Sequence, residues 1–243
     1  MGLEEIISKT SVYILIAATL LLIILTGISL KVKPLTAKMK KFLFSSIVIV
    51  ILFPTLFMAV STVYLNNVSA SSGPVHWHAD FEVWSCGKEL NLKDPTGFSN
   101  KIGTATLHEH NDKRIHLEGV VVNPDDASLG KFFHVIGGEI SDISFTLPTN
   151  TGSVSVNNTT LCPDGRTGTV QVFVYQTDKD NYYKQTKIHL PEHYTISPQS
   201  NVPAGDCIIV EFGPIKSRTD KLCRSYKVAQ QIGKLKGEKP NGY

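Results

Sequence analysis

Methionine is scarce in this chain. There are three in 243 residues, Met1, Met39 and Met58, and none lies beyond residue 58. That argues against a Cu(I) site of the methionine-rich kind in the rest of the chain. Cysteine is nearly as rare, with four residues (Cys86, Cys162, Cys207, Cys223) and none before residue 86. No Cys-x-x-Cys pair occurs, which argues against a zinc ribbon or a thioredoxin-type site. No cysteine is followed a few residues later by a histidine, which argues against blue copper. Charge is missing altogether from two stretches, residues 11–30 (SVYILIAATLLLIILTGISL) and 42–65 (FLFSSIVIVILFPTLFMAVSTVYL). Neither has the short apolar core and cleavage site of a secretory signal peptide. Soluble helices of this length normally keep a polar face, so both stretches read as retained spans. Each suffices for about 30 Å of hydrocarbon, and Pro54 is expected to bend the second.

The link between the spans, residues 31–41 (KVKPLTAKMKK), holds five lysines and no acid. The positive-inside rule then places it in the cytoplasm, with both termini outside. The expected organisation is a two-helix transmembrane hairpin over 1–65, a linker over 66–74 and an extracytoplasmic domain over 75–213. A basic tail follows over 214–243. The part after the spans is long enough for a real core. Asn67-Val-Ser69, Asn157-Asn-Thr159 and Asn158-Thr-Thr160 are glycosylation sequons, meaningful only outside the cytoplasm.

Charge is uneven. Residues 66–213 carry 10 Lys/Arg and 17 Asp/Glu, a formal −7, whereas residues 214–243 carry 8 basic and 2 acidic, a formal +6. An acidic domain suits cation binding and argues against nucleic acid. The basic tail reads as solvated. Four cysteines in an oxidising compartment read as two disulfides. Of the three pairings, Cys207 with Cys223 would staple the tail to the last strand.

Histidine is what the domain has in excess. Five of the eight fall within 41 residues, as His76-Trp-His78, His108-Glu-His110 and His116. Imidazole is the commonest protein ligand for Zn, Cu, Ni and Fe. On a strand, residues two apart share a face, so a His-x-His pair aims two rings at one ion. One such pair is usually a surface coincidence; two pairs and a fifth histidine make coincidence the minority explanation. Residues 76–84 read as a strand ending at a Cys86-Gly87 turn, and 106–122 as a hairpin around Asn111–Arg114. An even loop, Asn111–Arg114, puts His116 on the face opposite His108 and His110. An odd loop, Asn111–Lys113, pairs His108 with His116 and gathers His108, His110, His116 and Glu118 on one face. The odd loop needs a residue at positive φ, and Asn and Asp are the usual non-glycine choices.

Residues 126–136 have helical spacing and stop at Gly137-Gly138. SDISFTL, TVQVFVYQ and GDCIIVEFG read as strands, and 148–168 as an insertion or long loop. The order predicts an α+β domain that would suit a β-grasp sheet crossed by one helix. His134, His189 and His193 are left outside the site, and Trp77 and Phe81 read as packing residues. Asp80 and Glu109 are candidates to orient imidazoles.

The runs HWHADFEVWSCGKELNL, LHEHNDKRIHLEG and ASLGKFFHVIGG resemble a family of uncharacterised, membrane-anchored proteins from archaea and candidate-phylum bacteria. Their pattern is His-x-His-Ala-x-Phe/Leu, then Leu-His-x-His-Asp, then Ile-His-Val-Glu/His and a Leu-Gly-x-Phe-Phe helix. His76, His78, Phe81, Leu107, His108, His110, Ile115, His116, Glu118, Leu129, Gly130, Phe132 and Phe133 match it over residues 75–138. Cys86-Gly87 stands where the family has Asn-Gly, and Asn-Asp-Lys-Arg where it has a glycine-containing turn. The resemblance implies metal binding through the histidines and carries no established activity. A cupin likeness at His76-x-His78 and Glu82 fails on glycine spacing. The three-histidine logic of carbonic anhydrase is present without that family's length or order.

The expected function is therefore a membrane-anchored external protein that binds Zn or Cu(II) through His76, His78, His108, His110, His116 and Glu118. Its role would be capture, buffering or handover, with the membrane and the ion as its partners. Two alternatives stay open. One is a zinc-dependent hydrolase with Glu109, Glu118 or Asp80 as base. The other is a surface interaction module braced by a structural metal.

Overall fold

The computed structural model describes residues 2–196, 203 and 205–239. The chain forms two compact units, residues 1–74 with 120–122, and residues 75–119 with 123–243.

The first unit is built on α1 (Leu3–Lys31) and α2 (Ala37–Val68). Their Leu and Ala residues favour helix, against the weaker propensity of Ile and Val, and Thr36 caps α2 by accepting a hydrogen bond from the Met39 amide at 3.3 Å. The helix runs on through Pro54, which supplies no amide to the ladder. Large apolar side chains point outward all round; Leu20 is 56% exposed, Ile23 64% and Phe53 60%. Burial among protein atoms therefore does not explain these helices. Both are long and apolar enough to cross a membrane. α2 takes in residues 66–68, the first three of the expected linker.

The second unit is α+β. In chain order it contains β1 (Pro74–Ser85), β2 (Lys88–Leu90), β3 (Ile102–Gly103), β4 (Leu107–Glu109), β5 (Arg114–Val120), α3 (Leu129–Val135), β6 (Glu139–Ile140), β7 (Ser144–Thr149) and β8 (Gly152–Asn157). Then come β9 (Thr169–Thr177), β10 (Tyr182–Ile188), β11 (Asp206–Gly213), α4 (Arg224–Gln231) and β12 (Gly237–Glu238). Among the described residues, nine strands join in one sheet of order β12-β10-β9-β11-β1-β5-β4-β3, with β2 on β1, and β6-β7-β8 form a second sheet. The central path β5-β1-β11-β9-β10 places the first long strand beside the last. β1 and β11 are parallel, with Phe81 opposite Ile208. With α3 between β5 and β9 in the chain, this is the strand order of a β-grasp.

Two-residue alternation explains which way each strand faces. Ala79, Phe81 and Val83 of β1 are buried, as are Ile115 and Leu117 of β5. They share a core with α3, where Phe132 meets Phe81 edge-on at 5.1 Å between ring centres. His76, His78, Asp80 and Glu82 take the other face of β1, and Arg114, His116 and Glu118 the other face of β5. Every residue of β11 is buried: the strand is paired on both edges, by β9 and β1, and its Cys207 and Ile209 share a core with Tyr226 of α4. Gly205, at φ +77°, lets the chain enter β11: a Cβ there would lie 1.5 Å from the His78 carbonyl oxygen.

Two expectations are corrected. The stretch 148–168 is not a loop throughout, because β7 and β8 pair as a hairpin from Ser144↔Asn157 to Thr149↔Gly152. Its Thr, Ser and Asn content resembles a loop, yet Phe145, Leu147, Val154 and Val156 keep a strand's alternation. The segment after 213 is not merely solvated either. Its Tyr226 is fully buried, donating hydrogen bonds to the Tyr175 and Gly205 carbonyls, and Leu235 joins the same core. Cys207–Cys223 forms as expected and ties α4 to β11, while Cys86–Cys162 is the second bridge.

Candidate metal centre

The hairpin decides the site. Leu107 pairs with Leu117 and His108 with His116, which is the odd register. The loop is Asn111–Lys113, with Asn111 at φ +66° and Lys113 at φ +58°. Glu109 stabilises it by accepting hydrogen bonds from the amides of Asp112 (2.8 Å) and Lys113 (3.0 Å). Asp112 then accepts from the Arg114 amide at 3.1 Å. Directly paired residues point to one side of an antiparallel sheet, so His108 and His116 share the face on which β1 carries His76 and His78.

The five rings are contiguous. Ring centres are 4.6 Å apart for His76–His78, 4.8 Å for His78–His116, 4.9 Å for His110–His116, 4.7 Å for His108–His110 and 5.6 Å for His108–His116. His76, His78 and His116 each offer a nitrogen within 4.8 Å of the others. Tetrahedral zinc with bonds of about 2.0–2.1 Å sets its nitrogens about 3.4 Å apart. Small side-chain rotations would close the set.

Hydrogen bonds orient two of the rings: the His116 Nε2 lies 3.1 Å from Asp112 Oδ2, and the His110 Nδ1 2.6 Å from the Asn100 carbonyl. In both cases an N–H given to oxygen leaves the ring's other nitrogen with a lone pair, the usual supporting arrangement around a metal. A third ring, His76, has its Nε2 3.2 Å from Glu118 Oε1, within ion-pair distance. Glu118, expected as a ligand, thus sits against an imidazole and outside the three-nitrogen group. Of the two carboxylates expected to orient rings, Asp80 pairs instead with Arg114 at 2.7 Å and Glu109 holds the turn. Asp112 was missed. Its place in a three-residue turn, four residues before His116, was the available signal.

Burial lowers the pKa of His78, helped by the neighbouring charges of His116 and His76. Burial and then Lys101 lower that of His108 to about 4. Both rings are therefore neutral at physiological pH and keep the lone pair a metal needs. The His108 Nδ1 is buried without a hydrogen-bond partner. His134, His189 and His193 are exposed and lie outside the ring cluster. Trp77 is partly buried and Phe81 packs in the core.

Along the same face the cluster passes into a cavity of about 520 Å³ under α4, lined among others by Asp80, Asp112, Arg114, Arg224 and Val228. No protein-family model matches the chain, and no curated protein or solved structure matches it either.

Proposed function

We propose that this chain is a membrane-anchored, extracytoplasmic protein that binds a divalent transition metal, Zn(II) or Cu(II), for capture, buffering or handover. One observation carries the reading: the imidazole nitrogens of His76, His78 and His116 converge on one sheet face, within 4.8 Å of one another. Imidazole donors with carboxylates behind them suit Zn(II) and Cu(II). Placement outside the cytoplasm is supported by four cysteines that are all bridged. It is supported too by a lysine-rich link between the two apolar helices. The likeness to histidine-motif proteins of archaea and candidate-phylum bacteria fits the same role.

The test is metal analysis of the full-length chain in detergent, for the wild type and for His78→Ala and His116→Ala. At least one equivalent is expected in the wild type, falling to a small fraction in either variant. Metal well below one equivalent, unchanged by both substitutions, would defeat the proposal.

A zinc-dependent hydrolase is the second reading, favoured by the cavity that begins at Asp112 and Arg114. Three histidine ligands leave a fourth zinc position for water, whose pKa the ion lowers to about 7. A hydrolysis screen with and without chelator separates the two: chelator-sensitive turnover makes the site catalytic.

A further inference from the structure

The five rings are more than one ion needs. Tetrahedral zinc takes four donors, and this cluster offers five imidazoles with two carboxylates behind them. Their layout is also too wide for one ion. β1 and β4 lie on either side of β5. Neighbouring strands are about 4.8 Å apart, so β1 and β4 stand about 9.6 Å apart. One ion spans little more than about 4 Å between donors. The rings accordingly fall into two groups that meet at His116. His76 and His78 reach it from β1, with His78 at 4.8 Å. His108 and His110 reach it from the β4 side, at 5.6 and 4.9 Å.

We infer that the cluster holds two transition-metal ions. The first is bound by His76, His78 and His116, and the second by His108 and His110 on the far side of β5. This rests on the metal-binding reading above and extends it. Two observations point to the second ion independently of the first. His108 is only 2% exposed, yet its Nδ1 has no hydrogen-bond partner. Such an atom is destabilising unless something fills its need, and a cation would. His110 has its Nδ1 committed to the Asn100 carbonyl at 2.6 Å, which leaves Nε2 as its ligand atom and fixes the ring. With two protein donors against three, the second ion binds more weakly.

The experiment is a Zn(II) titration of the metal-stripped full-length chain in detergent, with bound metal counted by elemental analysis. The wild type, His78→Ala and His110→Ala are compared. His110 is only partly buried, so its removal spares the fold; His108→Ala, at a buried position, is a supplementary variant. Two equivalents are expected in the wild type, filled in two steps. His110→Ala should lose the weaker equivalent and keep the tighter one, whereas His78→Ala should lose the tighter. One equivalent in the wild type, whether His110→Ala leaves it intact or abolishes it, overturns the two-ion inference and leaves metal binding standing. No bound equivalent overturns both.

Discussion

At the residue scale, geometry sorts the carboxylates around the five histidines: Asp112 meets His116 across the three-residue turn, whereas Asp80 pairs with Arg114 and Glu109 holds the turn amides. Glu82 shows how strongly burial reassigns a charge. It lies on the histidine face of β1, 6% exposed, and accepts a hydrogen bond from the Trp84 indole at 3.1 Å. Burial raises its pKa, against the lowering effect of that hydrogen bond. A carboxyl whose folded pKa is raised favours the fold while protonated, and that contribution is lost as pH rises through the folded value. Glu82→Gln keeps an acceptor for Trp84 and removes the buried charge. The variant should therefore match or exceed the wild type in melting temperature at pH 7, and its relative advantage should shrink as pH falls into the carboxylate range. Paired thermal melts at pH 7 and about pH 4 check this; a variant less stable at pH 7 would show that the fold relies on the ionised form.

At the element scale, strands with one buried face were the legible ones. β1, β5 and β9 alternate or run apolar, and α3 has apolar positions at helical spacing with Gly137 at φ +87° past its end. The hairpin β4–β5 was readable up to one unknown, the parity of its loop, because a slip of one residue moves every side chain to the other face. Asn111 at positive φ resolves it toward the histidine face. The β7–β8 hairpin was hidden because its outward positions carry Ser, Thr and Asn, the vocabulary of loops. α3 is short, so its stability comes from packing more than from helix propensity. Phe132 is fully buried and touches both Phe81 and Phe133. Phe132→Ala should cost about 3–5 kcal/mol, read as a shift in denaturation midpoint. A loss under about 1 kcal/mol would mean that this face of the sheet is not held by α3.

At the scale of the whole molecule, the apolar spans were the plainest feature of the sequence, since about twenty uncharged residues have few other uses. The packing of the basic C-terminal segment was not legible. Its apolar anchors, Tyr226 and Leu235, are spaced among eight cations, and only the Cys207–Cys223 bridge hinted that it returns to the sheet. The proposed sidedness rests on combining two features. The link at 31–41 carries five lysines, and the four cysteines beyond the spans are all bridged; a reducing cytoplasm would oppose those bridges. Because no native thiol is free, any cysteine introduced into the chain is its sole reactive one. Lys38→Cys and Phe98→Cys both place it at an exposed position, the first in the charged link region and the second in the domain. Intact cells treated with a membrane-impermeant maleimide should label the Phe98→Cys chain and spare the Lys38→Cys chain until the membrane is opened. The inverse pattern would put the domain, its disulfides and its histidines in the cytoplasm, and would remove extracytoplasmic metal capture as the role of the cluster.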